Sequence, residues 1–188
     1  MLRPLTEKEL ERLYHEDVYR DFPESEIKPW SVVSDLYSRG LYEPLGYFDG
    51  DKLTAYALQI VPQSGAPLLD YLAVIPEYRG SGVGSDVLKL LRERYHNRGG
   101  IMIECEHPDE APDKDAALRR LAFYDRAGAV LTDTQVRLFG VLFLIYRLPC
   151  SDGSAAAPAD AMESIYRLSV PAHQYDSAVS IFPGIYRR

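Results

Sequence analysis

Residues 68–84 read LLDYLAVIPEYRGSGVG, from Leu68 to Gly84, and set the architecture of the whole chain. The first eight residues form a nearly continuous apolar run, which is typical of a buried strand. A glycine loop, Arg79 to Gly84, follows, and apolar residues then recur at helical spacing as far as Tyr95. This order predicts an anion site, because glycines allow close approach to the backbone and the N–H groups that open a helix point outward.

Two familiar phosphate-binding patterns do not fit this loop. The loop of nucleoside triphosphatases ends in Gly-Lys-Ser/Thr, whereas Gly84 is followed by serine and aspartate. The dinucleotide fingerprint needs a third glycine, and that position holds Ser85 counted from Gly80, or Val87 counted from Gly82. From the loop alone, a glycine turn without a ligand stays open beside a diphosphate site.

The rest of the chain alternates between helical and strand patterns. Helices are predicted from a capping box at Glu7 to about Tyr19, from about Pro29 to Gly40, from Val83 to Gly99, over Asp113–Ala127, and around Asp160–Leu168 with an acidic cap. Strands are predicted over Tyr42–Phe48, Lys52–Val61, Leu68–Ile75, Ile101–Glu106, Ala129–Arg137 and Val141–Leu148. This order predicts a mixed, three-layer α/β/α domain around one βαβ unit, with a C-terminal tail that the pattern does not place.

Composition limits the function classes. The chain has 188 residues, enough for about one domain, and a net charge of −7, which argues against a nucleic-acid binder. Its longest apolar run, Val141–Tyr146, is too short to cross a membrane, and no signal peptide is visible. Cys105 and Cys150 form neither a disulfide framework nor a zinc motif, so we expect a cytoplasmic protein without a metal.

Two segments resemble the GNAT N-acetyltransferase superfamily. Arg79, Gly82 and Gly84 match its Gln/Arg-x-x-Gly-x-Gly/Ala acyl-CoA pattern, after a strand and before an amphipathic helix. Residues 124–128 match its Tyr-x-x-x-Gly segment, and the resemblance covers Leu68 to about Ala129. The chain is therefore identified as a small member of bacterial type.

The resemblance implies the domain organisation and the fold. We expect an α/β GNAT fold with a three-layer mixed sheet over residues 1–148. Residues 149–188 would add a linker, a helix and a tail packed on the same domain. Ala117 and Arg120 stand where many members have Asn and Ala, and Ala129 stands where many have an aromatic residue. These departures concern cofactor contacts rather than the fold.

The resemblance also implies a site for acetyl-CoA as co-substrate, with no metal. The backbone of Ala73 and Val74 would pair with the pantetheine amides, and Arg79 would take the Gln/Arg role at the entrance of the loop. The pyrophosphate would be held by backbone N–H groups of Gly80, Ser81, Gly82, Val83 and Gly84. Candidates for the adenosine 3′-phosphate are Arg119, Arg120 and Arg126, for which a solvated helix face is the alternative.

Three residues carry the implied catalysis. Tyr124 would protonate the leaving thiolate, since a phenol with a pKa of ~10 suits a thiol with a pKa of ~8.5; core packing is the alternative. Glu104 and Glu106 are two apart on a predicted strand, so both point to one face, and either could be the general base. An exposed strand end is the alternative, and His107 is a third candidate base.

The implied activity is direct transfer of acetyl from acetyl-CoA to a primary amine of a small molecule or a peptide. The alternative is a catalytically inactive CoA-binding sensor or interaction domain. Acidic side chains of the first loop (Asp21, Glu24, Glu26), together with Glu104 and Glu106, would attract a cationic acceptor. Asp70 and Tyr71 could contact it. We expect no nucleic acid or membrane as partner, and the tail leaves a homodimer open.

Overall fold

The computed structural model describes residues 1–151, 155–184 and 186, which divide into two compact units. The first unit consists of Met1–Val61 and Leu69–Leu91, and the second consists of Pro62–Leu68 and Arg92–Arg188. Each unit combines strands with helices, so the fold class is α/β, as the sequence predicts.

The strands of the first unit lie in the order β1-β2-β3-β4. Their bounds are Leu2–Pro4 for β1, Tyr42–Asp49 for β2, Lys52–Ile60 for β3 and Leu68–Val74 for β4. β2 and β3 form the predicted antiparallel hairpin, which turns at Gly50 with a φ of 56°. β3 is buried almost throughout, so the core of this unit lies around it.

The helices of the first unit begin with the predicted capping box. Thr6 and Glu9 cap each other's backbone N–H groups at the start of α1 (Glu7–Leu13). The chain then widens into a π-helical turn over Tyr14–Val18 before α2 (Tyr19–Asp21), so the single α-helix predicted over residues 7–19 is wrong beyond Leu13. The cause is long-range packing, because the buried ring of Tyr14 contacts aromatic rings far along the chain.

Two further helices follow along the chain. α3 (Trp30–Ser38) follows Pro29 and ends before Gly40, whose φ is 68°. α4 (Val83–Arg94) starts inside the glycine loop and buries one apolar stripe.

The second unit has strands in the order β5-β7-β6-β8, with each neighbouring pair antiparallel. Their bounds are Ile101–Glu106 for β5, Val130–Leu138 for β6, Val141–Leu148 for β7 and Val179–Pro183 for β8. Its helices are α5 (Lys114–Arg126), α6 (Pro158–Ser169) and α7 (Tyr175–Ala178). Asp113 caps α5 by accepting a hydrogen bond from the Ala116 N–H.

The C-terminal part corrects the sequence analysis. The predicted acidic cap of α6 is wrong: no side chain caps this helix, and Pro158 occupies its first turn, where its fixed φ favours helix initiation. The tail that the pattern left unplaced contains α7 and β8, and β8 pairs with β6. Residues 152–154 of the predicted linker, and residues 185, 187 and 188 of the tail, lie outside the described residues.

Candidate functional site

The glycine loop has the geometry of a ligand-binding turn. β4 ends at Val74, a short 3₁₀ turn spans Pro76–Tyr78, and Gly80 and Gly82 have φ values of 79° and 91°. Only glycine adopts such values readily. An added Cβ at either glycine would have no heavy atom of the described chain within 4 Å, so both face open space. Backbone conformation, and not crowding, therefore requires glycine here.

Internal hydrogen bonds hold this turn in place. The Gly82 carbonyl accepts from the N–H groups of Ser85 and Asp86, at 2.9 and 3.1 Å, which closes the first turn of α4. The Ser81 hydroxyl donates to the Tyr78 carbonyl at 2.6 Å. The first N–H groups of a helix have no acceptor within that helix, and its dipole places partial positive charge there. The loop thus has the backbone geometry that the predicted anion site requires, and the anion site itself stays a prediction.

The backbone N–H and C=O groups of Val74 point away from β3. The Ile75 N–H donates to the Thr54 carbonyl at 2.9 Å, so Ile75 faces β3 and the preceding residue faces the opposite side. The Val74 carbonyl there accepts a hydrogen bond from Arg79 Nε at 3.0 Å. Arg79 thus returns from the loop to the end of the strand whose backbone the family resemblance assigns to pantetheine.

Asp21 is part of a network and is shielded from solvent. Its side chain is 5% exposed and contacts Arg20 at 3.0 Å and Arg79 at 3.3 Å. Tyr56 donates its hydroxyl to the same carboxylate at 3.0 Å. Burial, and secondarily Asp21, raises the pKa of Tyr56 above its ordinary value. Of the three acids of the first loop predicted to attract a cationic acceptor, Asp21 is therefore already paired, whereas Glu24 is exposed.

Lys28 is the centre of a buried polar cluster, the Lys28 cluster (Lys28, Asp70, Tyr42, Tyr71, Tyr14). Its ammonium group lies 2.5 Å from Asp70, whose side chain is 1% exposed and accepts a second hydrogen bond from Tyr42 at 2.8 Å. The Lys28 N–H donates to the Tyr71 hydroxyl, and the Lys28 carbonyl accepts from Tyr14. Asp70 and Tyr71 were predicted to contact an acceptor; in the structure their polar atoms anchor the first loop to β4.

In the second unit, the side chains of β5 alternate as predicted. Glu104 and Glu106 are half-buried, and Cys105 between them is fully buried. Glu104 pairs across the strands with Ile145, and Glu106 pairs with Phe143. Both carboxylates therefore lie on one face of the sheet, and neither is simply exposed at a strand end.

Local sequence patterns do not predict the hydrogen bond that Glu104 receives from α6. The hydroxyl of Tyr166, from α6, donates a hydrogen bond to Glu104 Oε1. The two residues are 62 positions apart, so no local pattern connects them. The apolar face of α6 predicts that this helix is buried. It does not predict which polar side chain the helix contacts.

Tyr124 lies in α5 and is 7% exposed. Its ring centroid is 5.1 Å from that of Phe123 and 6.5 Å from that of Tyr146. Burial, and then Cys105, raises the pKa of Tyr124, whereas Arg120 opposes this effect. The phenol is therefore protonated at neutral pH, and it is a weaker acid than a free tyrosine side chain.

The remaining candidates are more exposed. Arg119 and Arg126 are exposed on α5, and Arg120 is half-buried. The backbone N–H of His107 donates to the Leu142 carbonyl at 2.8 Å, and the Asp109 N–H donates to its Nδ1 at 3.2 Å, which ties the ring to the following turn.

The described residues contain neither a candidate metal site nor a candidate membrane-spanning helix. Among residues 1–151, 155–184 and 186, no group of three or more His, Cys, Asp or Glu side chains could hold a metal ion. No helix in the same part of the chain is long and apolar enough to cross a bilayer.

Comparisons with known proteins agree with this geometry. The model of the Acetyltransferase (GNAT) family matches residues 7–128, whereas no curated protein matches the chain. A GNAT-family protein from Bacteroides thetaiotaomicron has a similar structure, with a TM-score of 0.67 and 22% identity over 89% of this chain and 95% of that one.

Two other solved structures share the fold. The ribosomal-protein-S18-alanine N-acetyltransferase from Escherichia coli has a TM-score of 0.59 and 18% identity, covering 84% of this chain and 97% of that one. A GNAT-family acetyltransferase from Elizabethkingia anophelis with acetyl-CoA bound has a TM-score of 0.54 and 12% identity, covering 79% and 97%. At such identities the likeness supports the fold alone.

The family match covers well over half of the chain and includes the glycine loop and the Tyr-x-x-x-Gly segment. The predicted fold class, a mixed α/β sheet with helices, is confirmed with it. The chain belongs to the GNAT acetyltransferase family.

Proposed function

We propose that the protein transfers acetyl from acetyl-CoA directly to a primary amine of a small molecule or a peptide. The observation that carries this proposal is the glycine loop Arg79–Gly84, with two glycines in the left-handed region and open space before them. That loop lies inside the region that matches the acetyltransferase family.

The co-substrate is the first part of the proposal. We assign the pyrophosphate to the backbone N–H groups of residues 80–84 and the pantetheine amides to the backbone of Ala73 and Val74. The outward direction of the Val74 carbonyl supports this assignment, and so does the acetyl-CoA bound by the relative from Elizabethkingia anophelis. Arg79, which holds that carbonyl, would adjust when the co-substrate binds.

The second part concerns proton transfer. As the amine nitrogen attacks the thioester carbon, the C–S bond breaks and the sulfur gains an electron pair. We propose that Tyr124 donates its proton to this thiolate; its burial keeps the proton available until charge develops on sulfur. Glu104 or Glu106 would remove the proton that the ammonium form of the amine must lose before attack. After attack the nitrogen carries one further proton, which would pass to the Tyr124 phenolate and restore the phenol.

The acceptor class is the third part. The net charge of −7 and the acidic side chains Glu24, Glu104 and Glu106 favour a cationic amine. The relative from Escherichia coli is named for acetylating the alanine of a ribosomal protein, so a peptide amine belongs in any test beside small amines.

The setting of the reaction is also proposed. Cys105 and Cys150 are both free thiols, which suits a reducing compartment such as the cytoplasm. We also propose that residues 1–148 form the catalytic domain and that residues 149–188 pack on it. The buried face of α6 supports this packing. A homodimer through the tail stays a prediction that the mass in solution tests.

Calorimetry with acetyl-CoA is the first test. We expect the wild type to bind and Gly82→Trp to lose binding, whereas Gly65→Trp should bind normally. Gly65 has a φ of 83° and equally open surroundings, so this control introduces the same backbone strain outside the loop. NAD should bind to none of the three proteins. A folded wild type that does not bind acetyl-CoA would overturn the proposal.

Turnover is the second test, and it separates the enzyme from a CoA-binding sensor. Release of CoA is measured with spermidine, free amino acids and a peptide with an N-terminal alanine. We expect release with at least one amine, and at least a 100-fold lower rate for Tyr124→Phe, which is the usual size of an acid–base contribution. A protein that binds acetyl-CoA but releases no CoA with any of these amines would be a sensor.

A further inference from the structure

The C-terminal helix α6 lies outside the residues that match the acetyltransferase family, which end at 128. It nevertheless packs against the strands of the second unit through Met162, Ile165 and Tyr166, all of them fully buried. A helix that only covered a sheet would need no polar group on this face. Tyr166 brings one, and its hydroxyl reaches the carboxylate of Glu104.

Burying a phenol hydroxyl is unfavourable unless it has a hydrogen-bond partner, so this contact is a specific feature of the packing. A hydroxyl that donates to a carboxylate favours the ionised form and fixes the rotamer of the side chain. The contact therefore holds the Glu104 carboxylate in one orientation and favours its ionised form over its protonated form. Both properties are what a general base needs, because it must be unprotonated and correctly placed before the acceptor arrives.

Other ionisable side chains of the second unit share the face of the sheet on which Glu104 lies. Glu106 lies on the same face of β5, and Arg147 of β7 shares that face through its pairing with Met102. Arg147 also donates to the Ala156 carbonyl just before α6. Cys105 lies on the opposite face, and so does Tyr146, whose ring centroid is 6.5 Å from that of Tyr124. Tyr166 is the group whose hydrogen bond to Glu104 is directly observed.

We infer that Tyr166 is a positioning residue for Glu104, so that the C-terminal helix completes the catalytic site. This inference rests on the proposed function, and it selects Glu104 over Glu106 as the general base. It also gives residues 149–188 a role in the reaction in addition to their role in packing.

The test measures the titration of Glu104 directly. The carboxyl carbons of glutamate are labelled with ¹³C, and the Glu104 signal is assigned by its absence in Glu104→Gln. In Tyr166→Phe we expect the Glu104 midpoint to rise by about one pH unit, since one unit corresponds to the loss of one moderate charge-assisted hydrogen bond. Tyr14→Phe is the matched control: Tyr14 is equally buried and also donates one hydroxyl hydrogen bond, to the Lys28 carbonyl.

Kinetics with the best amine of the turnover panel give the second readout. The pH midpoint of the acidic limb of the kcat/KM profile should rise by the same amount in Tyr166→Phe. It should stay unchanged in Tyr14→Phe. In a Glu104→Gln background, Tyr166→Phe should have no further effect. A loss of structure alone would lower the rate without moving the limb.

Two results would overturn the inference. One is an unchanged Glu104 midpoint in folded Tyr166→Phe. The other is an equal loss of rate on Tyr166→Phe with and without the Glu104 carboxylate. Failure of the proposed function looks different: no amine releases CoA from the wild type, whatever the titration of Glu104 shows.

Discussion

The glycine loop and the Lys28 cluster lie in the same unit, but they differ in how far their groups are exposed and in how they are paired. In the loop, a Cβ added at Gly80 or Gly82 would meet open space, and the Arg79 side chain is largely exposed. In the cluster, side chains enclose one lysine, and its N–H, carbonyl and ammonium groups all have buried partners. The loop is therefore open to the ligand that we propose for it, whereas the polar groups of the cluster have partners within the chain.

This difference predicts where each region contributes. Breaking the cluster should cost stability, because a buried charge would lose its partner. Changing the loop should cost binding, because its polar groups face outward.

Asp70→Ala should lower the free energy of unfolding by about 3–5 kcal/mol, because the Lys28 ammonium would stay buried without its counter-ion. Urea unfolding followed by circular dichroism measures this loss. Asp35→Ala is the matched control, since Asp35 forms an exposed ion pair with Arg39 that should contribute at most about 1 kcal/mol. Equal losses in both variants would show that the Lys28 cluster is not a stabilising centre.

Gly80→Ala should weaken acetyl-CoA binding by about tenfold. A residue with a Cβ at a φ of 79° costs about 1–2 kcal/mol, and the loop would relieve this strain by leaving its binding conformation. Calorimetry measures the affinity. Gly65→Ala, at a φ of 83°, should lose similar stability and no affinity. Equal affinities for the two variants would remove the loop from the binding site.

The smallest effect concerns the exposed N-terminal cap. Hydrogen bonds from Arg3, and then from the Thr6 N–H, lower the pKa of Glu9 from 4.5 to about 2. A carboxylate whose pKa is depressed in the folded state stabilises the protein fully above pH 4.5 and loses this contribution as the pH falls toward 2. Glu9→Gln should therefore cost about 0.5–1 kcal/mol at pH 7, after screening by solvent, and almost nothing at pH 2.

Urea unfolding at several pH values checks this dependence. Glu11→Gln, in the same helix, provides the control and should leave the profile unchanged. If the difference between Glu9→Gln and the wild type were the same at pH 7 and pH 2, the Arg3–Glu9 pair would contribute nothing through its charge.

Features fixed by short sequence distances were predictable. The capping box needs residues three apart, the hairpin turn needs one glycine, and the left-handed turn of the glycine loop needs glycines two apart. The alternation of Glu104 and Cys105 on β5 also follows from strand geometry alone. These features, with the family resemblance, were enough to predict the α/β fold and the loop.

Features that depend on distant partners were not predictable. Lys28 and Asp70 are 42 positions apart, and Tyr166 and Glu104 are 62 apart. The π-helical turn at Tyr14 follows from packing against rings that local periodicity does not contain. The short strands β1 and β8 exist because a neighbouring strand supplies their hydrogen bonds, so their own residues carry little signal.

The last strand has a consequence for the behaviour of the chain in concentrated solution. β8 covers the outer edge of β6 from Thr134 to Leu138 and ends at Pro183, which lacks a backbone N–H. An uncovered edge strand offers a ready template for pairing with another chain, and a proline at the edge discourages such pairing. Proteolytic removal of β8 would expose that template, so the C-terminal strand protects the protein against aggregation by sheet extension.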